Sequence, residues 1–291
     1  MKLPESANPW AIGLYYGASP LRLAPLAGNP VLSLSDVLDV PAAFLADPFM
    51  LRTAGGWHMV FEVLNRASGK GEIGLAESAD GLAWSYRGIV LAEDYHLSYP
   101  YLFEADGEVF MVPETLGAGA VRLYRADPFP HRWSFVATLV DRPCADPSLA
   151  KIDGRWWLFA CTAPESHDVL SLFSAPELTG PWEEHPASPL ISGDPRSARP
   201  AGRIVEHHGR WIRYAQECGL VYGRRVRAFE ILELTPSVYR ERERPGAPGV
   251  EAMGEGWNGR GMHHVDPHRL PDGRWLACVD GRPQLPEDSQ S

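Results

Sequence analysis

Short hydrophobic runs recur along the chain at intervals of roughly fifty residues, each opened by a glycine. They are Gly56-Trp57-His58-Met59-Val60-Phe61, Gly107-Glu108-Val109-Phe110-Met111-Val112, Gly154-Arg155-Trp156-Trp157-Leu158-Phe159, Gly209-Arg210-Trp211-Ile212-Arg213-Tyr214 and Gly273-Arg274-Trp275-Leu276-Ala277-Cys278. A second pattern stands six to nine residues before each glycine: Asp47-Pro48, Tyr99-Pro100, Asp146-Pro147, Arg199-Pro200 and Asp266-Pro267. A proline-marked strand, a glycine turn and a buried strand make one hairpin. Further strand-like segments follow at 72–76, 121–125, 170–173 and 227–231, and then around Trp84, Trp133, Trp182 and Tyr239. No helical period is sustained over twelve residues. Five such units predict an all-β fold, a five-bladed β-propeller.

The fifth unit stops early, leaving only a polar tail at 281–291. The N-terminal segment 8–34 carries what it lacks. Trp10-Ala11-Ile12-Gly13-Leu14-Tyr15-Tyr16 resembles Glu72-Ile73-Gly74-Leu75, and Pro20-Leu21-Arg22-Leu23 would be the outer strand. The two ends are therefore expected to build blade five together, removing open sheet edges and making residues 1–291 a single domain.

Composition narrows the function. The formal net charge is −10, which argues against a nucleic-acid or anionic-membrane surface. No run of about eighteen apolar residues suggests a membrane span. The four cysteines form no C-x-x-C pair. Without a basic-then-apolar leader, the cytoplasm is the expected location.

In a propeller, the first strand leaves the central channel and the second returns to it. The residue before each repeat proline (Asp47, Tyr99, Asp146, Arg199, Asp266) should then share one face with the second-strand ends near Glu62, Glu114, Cys161, Gln216 and Asp280. Buried carboxylates are costly unless paired or used. Acids from several blades around one pocket suit sugar chemistry, where one carboxyl protonates the leaving oxygen and another activates water or attacks. Asp47 is the candidate base, Glu114 the acid and Asp146 the modulator of that acid. Arg199 and Arg203 are candidates for a substrate carboxylate or phosphate, or for pairing with an acid. Tyr99 is a candidate stacking platform, with Gln216, His264 and Asp266 as polar contacts. Each has a structural alternative: Asp-Pro caps turns, and mid-strand tryptophans pack between blades. His264 and Asp266, two apart, would face one way on a strand, but two ligands do not make a metal site. No cofactor is therefore expected.

Several runs resemble the N-terminal domain of plant glucosamine inositolphosphorylceramide transferases. They are Phe44-Leu45-Ala46-Asp47-Pro48-Phe49, Gly71-Glu72-Ile73-Gly74-Leu75-Ala76, His96-Leu97-Ser98-Tyr99-Pro100-Tyr101, Met111-Val112-Pro113-Glu114, Ala198-Arg199-Pro200-Ala201-Gly202-Arg203 and His263-His264-Val265-Asp266. The resemblance extends over about residues 8 to 282. That domain is in turn similar to five-bladed furanosidase-like propellers, which carry an aspartate base in blade one, an aspartate modulator in blade three and a glutamate acid in blade four. By that resemblance Asp47 and Asp146 fill the first two roles. Arg199 stands where the glutamate is expected, so Glu114 from blade two becomes the substitute acid. In the plant proteins, transfer is credited to a separate C-terminal domain, so the resemblance implies a sugar-handling propeller rather than the transfer step itself.

Three readings follow: a glycoside hydrolase-like enzyme acting on a glycosyl, perhaps furanosyl, group; a glycosyltransferase or other glycan-assembly enzyme using a nucleotide- or phospho-sugar; and a non-catalytic sugar-binding module. A carbohydrate or glycoconjugate is the expected partner in each, with a partner enzyme of glycan assembly in the last.

Overall fold

The structure, a computed structural model, describes residues 9–284. Asn8, at the start of the expected closing segment, and most of the polar tail (285–291) lie outside the described residues.

Five antiparallel sheets succeed one another as blades. Blade one is built from Ala42–Thr53, Gly56–Asn65, Lys70–Ser78 and Ser85–Leu91. Blade two holds Ser98–Ala105, Glu108–Glu114, Val121–Ala126 and Trp133–Val140. Blade three holds Ala145–Ile152, Arg155–Cys161, Val169–Ala175 and the short Glu183–Glu184, with Ile191–Ser192 also pairing its third strand. Blade four holds Val205–His207, Arg210–Gln216, Val226–Leu234 and Tyr239–Glu243.

Blade five joins the ends of the chain. Val265–Arg269 and Trp275–Gly281 are its inner strands, and Ala11–Ser19 its third. The register runs from Ala11 opposite Gly281 to Gly17 opposite Trp275. The outer strand is Arg22–Pro25, starting two residues later than the sequence suggests because Ser19 and Arg22 close the hairpin turn.

The core lies between blades. Trp57 of blade one packs with Ile12, Leu14, Leu276 and Cys278 of blade five. Trp156 joins Phe103 and Phe110 of blade two, and Trp157 joins Ile204 and Ile231 of blade four. Apolar residues on both faces of each sheet explain why the strands read as near-continuous hydrophobic runs rather than strict alternations.

The repeat prolines mark a bulge in three of the blades. Ala46 faces Glu62 and Phe49 faces Val60, so three steps on the first strand match two on the second. The same offset separates Ser98 from Tyr101 and Ala145 from Ser148. The extra residue in each case is left-handed: Asp47 at φ 54°, Tyr99 at 45° and Asp146 at 51°. That conformation costs a non-glycine residue about 1–3 kcal/mol and is a mark of functional sites. Blade five pairs Val265, Asp266 and Pro267 with Val279, Cys278 and Ala277 without a bulge.

Candidate active site

The count from each glycine falls on Glu114, Cys161 and Gln216 at the ends of their second strands, and on Glu62 and Asp280 inside strands that run on to Asn65 and Gly281. Their partners on the first strands are Ala46, Ser98 and Ala145 in blades one to three. In blade four, Gln216 donates its backbone N–H to Arg199 O at 2.9 Å. In blade five, the residue beyond the Val265–Val279 pair is His264, next to Asp280.

Backbone amides of the bulges link the blades in sequence. Asp47 N–H donates to Asp280 Oδ2 at 3.1 Å, Tyr99 N–H to Asp47 Oδ2 at 3.3 Å, and Asp146 N–H to Glu114 Oε2 at 3.1 Å. Each carboxylate thus caps the next blade, and the ring of acids is fastened by the strained residues.

Arg199 crosses the ring. Its Nε donates to Asp146 Oδ2 at 2.5 Å, its Nη2 to Asp146 Oδ1 at 3.3 Å and Glu114 Oε2 at 3.4 Å. Its Nη1 lies 2.9 Å from Nδ1 of His167, which burial and the Arg199 charge hold neutral. Gln216 Nε2 adds a 2.6 Å bond to Asp146 Oδ2. Asp146 is therefore fully engaged, and Arg199 occupies the blade-four place of the ring.

The other two candidate acids are pushed toward their protonated forms. Burial, then the Asp146 charge, raise Glu114 to about 8, against the opposing pull of Arg199. Burial and the nearby Asp280 charge raise Asp47 well above an ordinary aspartate. Asp280, also buried, stays low because His263 lies against it, with Nδ1 2.7 Å from Oδ2. Glu62 faces His96 Nε2 at 3.0 Å. Gly71 N–H donates to His96 Nδ1, which fixes the ring proton of the neutral imidazole on Nε2, toward Glu62.

Several expected ligand contacts are otherwise employed. Tyr99 is fully buried, and its hydroxyl meets Ser148 Oγ at 2.7 Å while accepting the Gly202 N–H. Its ring sits edge-on to Phe49 and His264, so it offers no stacking face to a sugar. Without the bulge, Asp266 aligns with Phe49 instead of Asp47 and faces away from the acid ring. There it takes Arg203 Nε at 2.5 Å, His268 Nε2 at 2.8 Å and the Met50 N–H at 2.6 Å. Burial opposes its ionisation, but Arg203 and His268 hold it well below the carboxylate range. Arg203 also donates to the Met50 and Leu102 carbonyls, pinning three blades together.

The hint of metal at His264 and Asp266 also shifts. The strand begins only at Val265, and their side chains part. The ligand atoms that do converge belong to Asp47, His263 and Asp280, within 4.8 Å of one another. His264 is fully buried beside them, Nδ1 3.9 Å from Asp47 Oδ1, with both ring nitrogens unpartnered. Burial lowers it to about 4, so it is neutral.

Loops supply residues that no repeat announced. Tyr222, between Gly219 and Gly223, packs against the ring residues, 5.6 Å from the Arg199 guanidinium and edge-on to His263. Trp10 stacks on His263 at 4.0 Å. Surface hollows beside blade four (Arg225, Arg227, Glu243, Glu251) and between blades four and five (His207, His208, Arg269, Trp275) share no residue with the ring.

Known proteins match this architecture. A family 117 glycoside hydrolase produced by the marine bacterium Zobellia galactanivorans superposes with a TM-score of 0.57, at 13% identity, covering 97% of this chain and 93% of that one. An exo-1,5-α-L-arabinanase from a bovine ruminal metagenomic library gives 0.56, at 13% identity, over 79% and 93%. At such identity the likeness establishes the fold. In sequence, glucosamine inositolphosphorylceramide transferase 1 of Oryza sativa subsp. japonica is 36% identical over 304 aligned positions, which span 96% of this chain and 41% of the relative. The Arabidopsis thaliana protein of that name is 32% identical, over 95% and 39%. The chain thus spans about two fifths of the curated relatives it matches. The model of the glucosamine inositolphosphorylceramide transferase 1 N-terminal family matches residues 3–282, and the chain belongs to that family.

Proposed function

We propose that the ring is the catalytic centre of a glycan-active enzyme of glycoside hydrolase type. Glu114 is the general acid, Asp47 the base, and Asp146 the residue that fixes Arg199 and tunes Glu114. The observation that carries this reading is Glu114, whose carboxyl, raised to about 8, keeps its proton near neutral pH in the same buried acid ring as Asp47. Glu114 would pass that proton to the glycosidic oxygen as the C–O bond breaks. Asp47, in its ionised form, would take a proton from the attacking water. Arg199 and Tyr222 would hold the sugar's hydroxyl groups.

Turnover of aryl furanosides, aryl pyranosides and nucleotide sugars tests the reading. Glu114→Gln and Asp47→Asn are each expected to lower turnover by about 10²–10⁴, with folding intact by circular dichroism. Full activity in both variants sinks it. The name of the relatives, a transferase, favours a second reading, transfer of the glycosyl group to an acceptor. Calorimetric binding of a nucleotide sugar with no release in water, and product only when an acceptor is added, would select that reading. Blade four offers Arg199 in place of an acid, which favours a third, a sugar-binding module. Saturable binding without turnover under any condition would select it.

A further inference from the structure

Most of the arginines around the ring are matched to carboxylates; two at its rim are not. Arg260 and Arg282 are neighbours across a short antiparallel contact, with Arg260 N–H donating to Arg282 O at 2.8 Å. Among the described residues neither makes an ion pair with a carboxylate, although the chain has 37 acidic residues against 27 basic ones. The Arg282 Nε is buried and has no hydrogen-bond partner among the described residues. Burial and then the Arg260 charge lower Arg282 from its ordinary value, against a smaller opposing effect of Tyr222. An orphaned guanidinium N–H beside a second like charge is a costly arrangement for a free protein, and an anion removes the cost.

The pair adjoins the ring. The Arg282 guanidinium lies 5.1 Å from the Trp10 ring, and Trp10 stacks on His263, which touches Asp280. Arg260 is exposed and Arg282 partly so, although the Arg282 Nε itself is buried. Trp10 offers an apolar wall between the cationic rim and the acidic floor.

We propose that Arg260 and Arg282 form an anion subsite that takes the phosphate of a phosphorylated sugar whose ring enters the acidic opening. The sugar half of this assignment rests on the carbohydrate reading above; the anion half does not. Two planar guanidinium groups match phosphate oxygens bidentately, while the acids and His263 accept from and donate to hydroxyl groups. The substrate class is accordingly a glycosyl phosphate or a phosphate-bearing glycoconjugate.

The test is titration calorimetry of the full chain with inorganic phosphate, glucose 1-phosphate, glucuronate and methyl glucoside at constant ionic strength. Inorganic phosphate is expected to bind the native protein and to bind R260Q/R282Q at least tenfold more weakly, with the melting temperature unchanged. Glucose 1-phosphate is expected to bind more tightly than inorganic phosphate. Equal phosphate affinity in both proteins, or no binding to either, overturns the subsite. Glucuronate binding more tightly than either phosphate ligand, with the same arginine dependence, overturns the assignment to phosphate in favour of a carboxylate. Arginine-dependent phosphate binding with no gain from the sugar supports the subsite and removes the carbohydrate reading instead.

Discussion

The Asp47 N–H and Asp280 Oδ2 meet at 3.1 Å although 233 residues separate them in sequence. This bond ties blade one to the blade that both ends of the chain share, so ring closure and the assembly of the acid ring are one event. Deleting residues 1–25 would remove the third and outer strands of blade five and expose the edge of Trp275–Gly281. The truncated chain should lose its cooperative thermal transition. An unchanged melting temperature would show that the closing strands are dispensable.

Arg199 and Asp146 should behave as a unit. Arg199→Met leaves Asp146 charged and buried, at a cost of about 3–5 kcal/mol. Arg199→Met combined with Asp146→Asn should cost clearly less than the two single changes added together. Urea denaturation of the four proteins measures this; strict additivity would mean that the pair contributes no coupling.

Glu114 should make stability fall on the alkaline side. Its folded-state pKa of about 8 exceeds the ordinary carboxyl value of 4.5, so the folded form holds the proton more tightly than the unfolded form. The contribution is complete below 4.5 and is lost as pH rises through about 8. Glu114→Gln copies the protonated carboxyl and should flatten the decline between those values. Melting curves from pH 5 to 9 that fall in parallel for both proteins would count against this assignment.

Gly202 should tolerate no side chain. Its φ is 128°, and a Cβ would stand 1.8 Å from the carbonyl oxygen of Val265, with which it forms an isolated parallel bridge. Gly202→Ala must part blades four and five, and we expect a loss above about 4 kcal/mol. A melting temperature within a few degrees of native would show that the backbone yields there.

The five blades and the strand-two places were legible because they follow from local chemistry. A glycine turn and a proline-marked strand recur, and counting along an extended strand keeps its phase. Asp266 was misplaced because the same Asp-Pro pair occurs with and without a bulge. The bulge depends on whether the neighbouring blade offers a carboxylate to the freed amide, as Asp280 does for Asp47. Tyr99 was read as a sugar platform because a sequence cannot tell that Ser148 and Gly202 claim its hydroxyl. His263, His167 and Tyr222 were missed because they sit in irregular segments that carry no period.

The bulges at the repeat prolines occur in blades one to three, and this gives the ring a handedness. One arc carries the left-handed Asp47, Tyr99 and Asp146 and the acids Glu62 and Glu114; the other carries Arg199, Gln216, the His263–Asp280 pair and the rim arginines. The mouth is in effect an electric compass: a ligand with distinct donor-rich and anionic ends has one favoured heading as it descends.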